Sequence, residues 1–143
     1  KTPTVHTTHG IFTPDNEKMF RRFAQQPYIS ISEAQREPRL GLHYIHTVYN
    51  GIDTDTYPFY PTPTQPAYLA FVGRLSPEKG PKEAIAIALA SGLPLKMAGK
   101  IDAVDRDYFR QELEPLIDGD QIQYLGEVSH QEKVQLLGGA TVT

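Results

Sequence analysis

The sequence predicts an α/β fold whose strands form parallel sheets. Three observations support this prediction. Strand-like segments alternate along the chain with segments that carry helix-start signals. Residues 67–72 form a nearly continuous apolar run, as expected for a strand that is covered on both faces. The shares of hydrophobic and charged residues, 39% and 22%, are typical of a soluble globular chain.

Composition excludes several classes of function. The chain has 143 residues, enough for one ordinary domain or two small lobes. Its net charge of −3 argues against a nucleic-acid partner, which needs clustered Lys and Arg side chains. The absence of cysteine excludes a disulfide scaffold, thiolate metal ligands and a cysteine nucleophile. Neither a membrane-spanning apolar run nor a signal-peptide pattern occurs, so we expect a cytoplasmic protein.

A proline-rich segment divides the chain. Four of the twelve prolines lie close together, at positions 58, 61, 63 and 66. Because proline fixes φ and removes an amide donor, we expect an extended connector at residues 58–66. The connector separates a first lobe at residues 1–57 from a second lobe at residues 67–143.

Predicted strands in both lobes point to one kind of site. They lie at residues 3–9, 28–31, 42–48, 67–72, 93–98 and 121–125, and another begins at residue 140. Right-handed crossovers place the loops after parallel strands along one edge of a sheet, where ligands bind. The loops of interest are therefore residues 9–10, 73–80, 99–100 and 126–129.

Capping residues predict the helices of the first lobe. Thr13 caps a helix that begins at Pro14, and Met19, Phe20 and Phe23 stand at helical spacing on its buried face. Pro27 then stops this helix. A short second helix is predicted after the capping-box sequence S-E-A-Q at residues 32–35.

Similar signals predict the helices of the second lobe. Pro81 begins a helix whose apolar stripe includes Leu89, and Gly92 follows its end. The next helix spans residues 102–114, and Pro115 should kink or end it because the proline ring removes a hydrogen bond. The sequence S-H-Q-E at residues 129–132 is a second capping box and opens the last helix.

The loop at residues 73–80 carries the strongest chemical signal. Arg74 and Lys79 lie between two glycines, where a buried strand leads into the N-terminus of a helix. Two cations and unpaired amides at that position suit a diphosphate. The alternative is that Arg74 pairs with Glu78 or Glu83 and that Lys79 is a solvated turn residue. The loop is neither a P-loop nor a G-x-G-x-x-G dinucleotide site.

Six segments, in order along the chain, resemble family 4 glycosyltransferases, the retaining GT-B enzymes that use nucleotide sugars. These segments are P-T-V-H-T-T-H (3–9), I-S-I-S-E (29–33), V-Y-N-G-I-D (48–53), G-R-L-S-P-E-K-G (73–80), L-K-M-A-G-K (95–100) and I-Q-Y-L-G-E-V (122–128). The resemblance implies two partial GT-B lobes with parallel Rossmann-like sheets and a role in carbohydrate biosynthesis. It also implies transfer with retention of configuration from a UDP- or GDP-linked sugar, with no further cofactor.

The resemblance also assigns residues. Arg74 and Lys79 clamp the donor diphosphate, and His9 faces the transferred sugar. The loops around the nucleotide contribute Gly73, Gly99, Lys100, Gly126 and Val128 to donor binding, and the interdomain hinge contains Asn50, Gly51 and Asp53. His6, His43, His46 and His130 show no metal-ligand spacing, so no metal site is expected.

Two family elements have no counterpart here: an N-terminal glycine-rich loop and an E-x7-E motif after the strand at residue 140. We therefore expect a fragment of a larger enzyme, inactive on its own, whose acceptor is unknown. Peripheral membrane contact of the longer protein and self-association of the fragment stay open. The alternative is a non-catalytic nucleotide-binding or self-assembling α/β module. A phosphorylase or epimerase is disfavoured, because no pyridoxal-phosphate lysine or epimerase carboxylate cluster is found.

Overall fold

The chain folds into two compact units. The structure is a computed structural model that describes residues 2–143. Residues Lys1–Asp53 form the first unit and Thr54–Thr143 form the second. The residues of the predicted connector, 58–66, therefore lie within the second unit.

The first unit is built on a three-stranded parallel sheet. Its strands are β1 (His6–Thr8), β2 (Tyr28–Ser30) and β3 (Tyr44–Thr47), paired in the order β1-β2-β3. One α-helix, α1 (Pro14–Arg22), connects β1 to β2. A small core forms beneath the sheet from the buried side chains of Tyr28, Leu40 and Leu42.

Helix α1 begins as predicted but packs differently. Thr13 Oγ1 accepts from the Asn16 amide, and Asn16 Oδ1 accepts from the Thr13 amide, which completes a capping box. The expected buried face is wrong, because only Phe20 packs against the core while Met19 and Phe23 are about half exposed, at 51% and 49%. Helical spacing indicates which side chains share a face, but no other element among the described residues covers that face of α1.

The predicted helix after Ser32 is also wrong. Ser32 Oγ accepts from the Gln35 amide at 3.0 Å, as in a helix cap. The Gln35 side chain, however, bonds to Thr8, Gly10 and Ile31 instead of returning to the amide of Ser32. The segment is therefore a turn, followed by a short 3-10 turn at Pro38–Leu40.

The second unit contains a second parallel sheet. Strands β4 (Leu69–Val72), β5 (Leu95–Ala98) and β6 (Ile122–Tyr124) pair in the order β4-β5-β6. The last residues extend this sheet on its other side, through a parallel bridge between Leu69 and Val142. The predicted α/β class with parallel strands is therefore confirmed.

Two regular helices flank this sheet, α2 (Pro81–Ser91) and α4 (His130–Gly139). Both begin as predicted, α2 at its proline and α4 at a Ser129–Glu132 capping box. Leu89, predicted in the apolar stripe of α2, is 52% exposed, so the buried stripe is narrower than expected. The main core of this unit consists of Leu69, Leu75, Ile85, Ala88, Leu95, Met97, Leu113 and Ile122.

The helix between β5 and β6 is irregular. It contains a 3-10 turn, a short α-helical turn α3 (Arg106–Tyr108), a π-helical turn (Phe109–Leu113) and a final 3-10 turn (Glu114–Leu116). The predicted regular helix over residues 102–114 is not observed, because its α-helical part ends at Tyr108 and Pro115 lies in the final 3-10 turn.

Segment 57–66 packs along α4 through close contacts with two glycines. A Cβ at Gly138 would lie 2.2 Å from the Tyr60 ring, and a Cβ at Gly139 would lie 3.1 Å from the Thr64 hydroxyl oxygen. The Thr64 hydroxyl and amide both donate to the Gly139 carbonyl. No helix within residues 2–143 is long and apolar enough to cross a membrane.

Candidate functional site

The carboxyl edge of the second sheet brings three predicted glycines into one backbone network. The Gly73 amide donates to the Ala98 carbonyl, and the Gly99 amide donates to the Gly126 carbonyl. A Cβ at Gly99 would lie 1.7 Å from the Gly73 carbonyl oxygen, so only glycine allows this approach. The loops after β4, β5 and β6 therefore lie side by side, as the parallel order of the strands requires.

The loop at residues 73–80 is anchored from within. Leu75 is fully buried in the main core, and its amide donates to the Lys100 carbonyl at 3.0 Å. A 3-10 turn (Pro77–Lys79) then leads to Gly80, whose φ of 73° is in the left-handed region. Gly80 is also the residue before α2, and no side chain caps the first amides of that helix. Anchored at Leu75, the loop keeps Arg74 and Lys79 on the exposed side of the edge.

Ser76 is a buried polar residue of the same loop. It is 1% exposed, and its hydroxyl has no hydrogen-bond partner among the described residues. It nevertheless lies near enough to lower the pKa of the Glu78 carboxyl, after the larger effect of the Glu78 amide itself.

The Arg74 guanidinium is bound by two acids. Its Nη2 lies 2.5 Å from Glu78 Oε1, and its Nη1 lies 3.4 Å from Asp102 Oδ2. The alternative prediction, that Arg74 pairs with Glu78 or Glu83, is therefore confirmed for Glu78. Glu83 makes no ion pair with Arg74 within 4.0 Å. An anion that binds the Nη2 edge of Arg74 must compete with Glu78.

The other two cations of the edge differ from each other. Lys100 Nζ donates to Asp102 Oδ1 at 2.5 Å; this bond lowers the pKa of the Asp102 carboxyl and raises the pKa of Lys100. Lys79 is exposed and forms no ion pair with any of residues 2–143. Glu127, in the loop after β6, also belongs to this edge, so the edge carries three cations and three acids.

Gly126 and Val128 lie at the end of β6. Gly126 has a φ of 77°, in the region that favours glycine, and its carbonyl accepts from Gly99. Val128 packs partly buried against the cluster of Tyr68, Ala70, Ala98 and Leu136, so its side chain serves the core.

His9 follows β1 at the carboxyl edge of the first sheet and is exposed. Its neighbour Gly10 is held by Gln35, whose side-chain nitrogen donates to the Gly10 carbonyl at 3.1 Å. Gln35 Oε1 accepts from the Thr8 hydroxyl and from the Ile31 amide. The loop that carries His9 is therefore fixed to the loop that follows β2.

The same part of the first unit contains a cavity of about 620 Å³ between β1 and α1. His9 lies at its rim together with Ile11 and Asn16, and the half-exposed Met19 and Phe23 line its wall. The predicted hinge residues Asn50, Gly51 and Asp53 are exposed at the end of this unit. Within residues 2–143, no three His, Asp or Glu side chains are grouped as metal ligands.

Solved structures with a similar fold are known. The chain matches the crystal structure of Anabaena HepE in complex with UDP and glucose, with a TM-score of 0.75 and 21% identity over 98% of this chain. It also matches AviGT4, a glycosyltransferase involved in avilamycin A biosynthesis, with a TM-score of 0.57 and 28% identity over 80% of this chain. The chain has a glycosyltransferase fold.

This chain spans 45% of the length of HepE and 34% of the length of AviGT4. No protein-family model matches it, and no curated protein sequence matches it. The comparisons therefore establish the glycosyltransferase fold.

Two residues, one at the carboxyl edge of each sheet, were not predicted from the sequence. Asp102 was noted only as the start of a helix, although it binds both Arg74 and Lys100. Gln35 was assigned to a capping box, although it joins the loops after β1 and β2. The sequence contains a signal for Asp102. It lies two residues after Lys100, in the loop that follows β5, and β5 pairs with β4, the strand that precedes Arg74.

Proposed function

We propose that this chain is part of a retaining glycosyltransferase that transfers a sugar from a UDP- or GDP-linked donor to an acceptor hydroxyl. The observation that carries the proposal is the carboxyl edge of the second sheet. There Arg74, Lys79 and Lys100 surround a set of loops that contact each other through glycines. The resemblance of the sequence to family 4 glycosyltransferases and the fold shared with AviGT4 support it.

The donor diphosphate binds to the three cations. Lys79 forms no ion pair with the described residues and is available to phosphate oxygens. Arg74 offers a planar fork of donors, for which a diphosphate competes with the exposed Glu78 carboxylate. Since charge-assisted hydrogen bonds to a diphosphate are stronger than one exposed ion pair, this competition favours the ligand.

The same cations assist the chemical step. As the bond between the anomeric carbon and the phosphate oxygen breaks, negative charge grows on the diphosphate. Fixed cations stabilise that charge in the transition state. The acceptor oxygen bonds to the anomeric carbon on the face that the phosphate leaves, and its proton passes to the departing phosphate. Configuration is thereby retained without a protein nucleophile.

The remaining predicted residues have supporting roles in this proposal. The backbone of Gly99 and Gly126 borders the nucleoside. HepE was solved with UDP and glucose, which makes a UDP-linked donor the first to test.

The test is calorimetric titration of the chain with UDP and GDP. Native protein should bind one of them, and Arg74→Ala and Lys79→Ala should each weaken binding about tenfold, as expected for losing a charge-assisted contact to phosphate. Arg110→Ala is the matched control, because Arg110 is an exposed arginine of the same unit outside this edge. Equal affinities in all four proteins would contradict the proposal.

Self-association is a second candidate function. Strand β1 is at the edge of its sheet, and the neighbouring Ile11, Met19 and Phe23 are 80%, 51% and 49% exposed. An unpaired strand edge beside apolar side chains favours pairing with a second copy. Sedimentation of native protein and Phe23→Gln at several concentrations distinguishes the two candidates, because only the association depends on Phe23.

A further inference from the structure

One acid is shared by two cations at the carboxyl edge of the second sheet. Asp102 Oδ1 lies 2.5 Å from Lys100 Nζ, and Asp102 Oδ2 lies 3.4 Å from Arg74 Nη1. Arg74 follows β4 and Lys100 follows β5, so this carboxylate joins side chains from two neighbouring strands. A shared acid of this kind fixes the direction in which both cations point.

Asp102 is held more firmly than the side chains that it binds. Its side chain is 26% exposed, against 47% for Arg74 and 58% for Lys100. Its carbonyl accepts from the Asp105 amide at 2.9 Å, which closes a turn at the start of the following helix. Arg and Lys side chains lose much conformational entropy when they are ordered. Because Asp102 already orders both side chains, less conformational entropy is lost when a ligand binds them.

Glu78 contacts the same guanidinium in a different way. It binds Nη2 rather than Nη1, its side chain is 54% exposed, and Arg74 is the one cation with which it pairs among residues 2–143. The Glu78 carboxyl also interacts with its own amide and with Ser76, but Arg74 is its one cationic partner among the described residues, so an anion arriving from solvent can replace it there. Displacement of Asp102 would release two cations at once.

We propose that Asp102 is a positioning residue for the donor diphosphate: it holds Arg74 and Lys100 side by side, while Glu78 is the acid that the diphosphate replaces. This inference rests on the proposed function. The diphosphate takes the Nη2 edge of Arg74 and Nη1 stays on Asp102. Two acids of equal charge beside one guanidinium therefore have opposite effects on ligand binding.

The experiment compares Asp102→Asn with Glu78→Gln, two isosteric changes that each remove one negative charge next to Arg74. UDP is titrated calorimetrically at low ionic strength, with GDP in its place if the native chain prefers it. Glu78→Gln should bind roughly two- to fivefold more tightly and Asp102→Asn roughly two- to fivefold more weakly, the range expected for exposed charge pairs. Asp102→Glu, which keeps the charge, should recover part of the affinity.

Tighter binding by Asp102→Asn would show that Asp102 acts only as a repelling charge, and it would overturn the inference. Thermal unfolding without nucleotide checks that each variant is folded. If Asp102→Asn is not, carboxyl carbon NMR of the native chain decides: UDP should shift the Glu78 signal and leave the Asp102 signal in place, and the reverse overturns the inference. Failure of the native chain to bind either nucleotide would refute the proposed function and this inference with it.

Discussion

The two sheets have the same parallel order but hold their carboxyl edges together by different means. In the first unit, neutral side chains do this, since Gln35 joins Thr8, Gly10 and Ile31. In the second unit, backbone groups approach directly at Gly73 and Gly99, and charged side chains surround them. A βα pattern thus determines where a site can form, while the residues after each strand determine its charge and therefore its ligand.

The packing of the two units differs in the same way. The second unit buries eight side chains in one cluster, whereas the first unit buries three and leaves α1 without a buried residue. The sequences of the helices differ accordingly. Helix α1 carries two apolar side chains near its end, Met19 and Phe20, whereas α2 is apolar along most of its length.

The largest expected effect is that of Gly99→Ala. The new Cβ would be placed 1.7 Å from the Gly73 carbonyl oxygen, which is a backbone atom and cannot move aside cheaply. We expect a loss of about 3 kcal/mol or more in the free energy of unfolding, measured with urea. Gly10→Ala is the matched control at the edge of the first sheet, because nothing lies within 4 Å of its Cβ position. Equal stabilities of the two variants would contradict the close approach.

A second prediction compares a buried residue of the second unit with a half-exposed residue of the first unit. Leu95 is 1% exposed, so Leu95→Ala should lower the free energy of unfolding by about 3 kcal/mol. Phe23 is 49% exposed, so Phe23→Ala should cost less than about 1 kcal/mol, although a buried phenylalanine would cost more. Urea unfolding followed by circular dichroism measures both. A large loss from Phe23→Ala would mean that the face of α1 is covered.

The smallest effect concerns a turn of the second unit. Asp118 Oδ1 accepts from the Ile122 amide at 2.8 Å and from the Asp120 amide at 2.9 Å. These bonds, that of Ile122 first, lower the pKa of Asp118. The carboxylate therefore stabilises the fold above its unfolded pKa, and this contribution is lost as the pH falls through its folded pKa. Asp118→Asn should be less stable than native protein at neutral pH.

The pH dependence of the free energy of unfolding tests the role of the Asp118 carboxylate in this turn. The difference in stability between native protein and Asp118→Asn should disappear in acid, where both side chains are neutral. Asp107→Asn, which changes an exposed acid without a hydrogen bond to these amides, should show no such dependence. A difference that persists at low pH would point to a packing effect in place of the ionised carboxylate.

Local signals in the sequence were enough for much of the fold. The capping boxes at Thr13 and Ser129 form because each needs only residues within one turn. The same signal failed at Ser32, because Gln35 has partners 25 and 27 positions away, at Gly10 and Thr8. A sequence window does not contain such competing partners.

The candidate site, like the fold, could be predicted from the sequence only in part. Arg74, Lys79 and Lys100 could be found because they follow predicted strands, and the parallel sheet brings those positions together. The pairing of Arg74 with Asp102 depends on side-chain directions across two loops, which spacing does not reveal. The need for glycine at position 99 likewise depends on the carbonyl of Gly73 in the neighbouring loop.

The most direct test of the central claim is a titration of the isotopically labelled chain with UDP, and with GDP in parallel, followed by amide NMR. If the carboxyl edge of the second sheet binds the nucleotide, the amide signals of Gly73, Gly99 and Gly126 should shift together with one dissociation constant. The signal of Gly10, at the matching edge of the first sheet, should stay in place. Shifts confined to the first unit, or none with either nucleotide, would contradict the account.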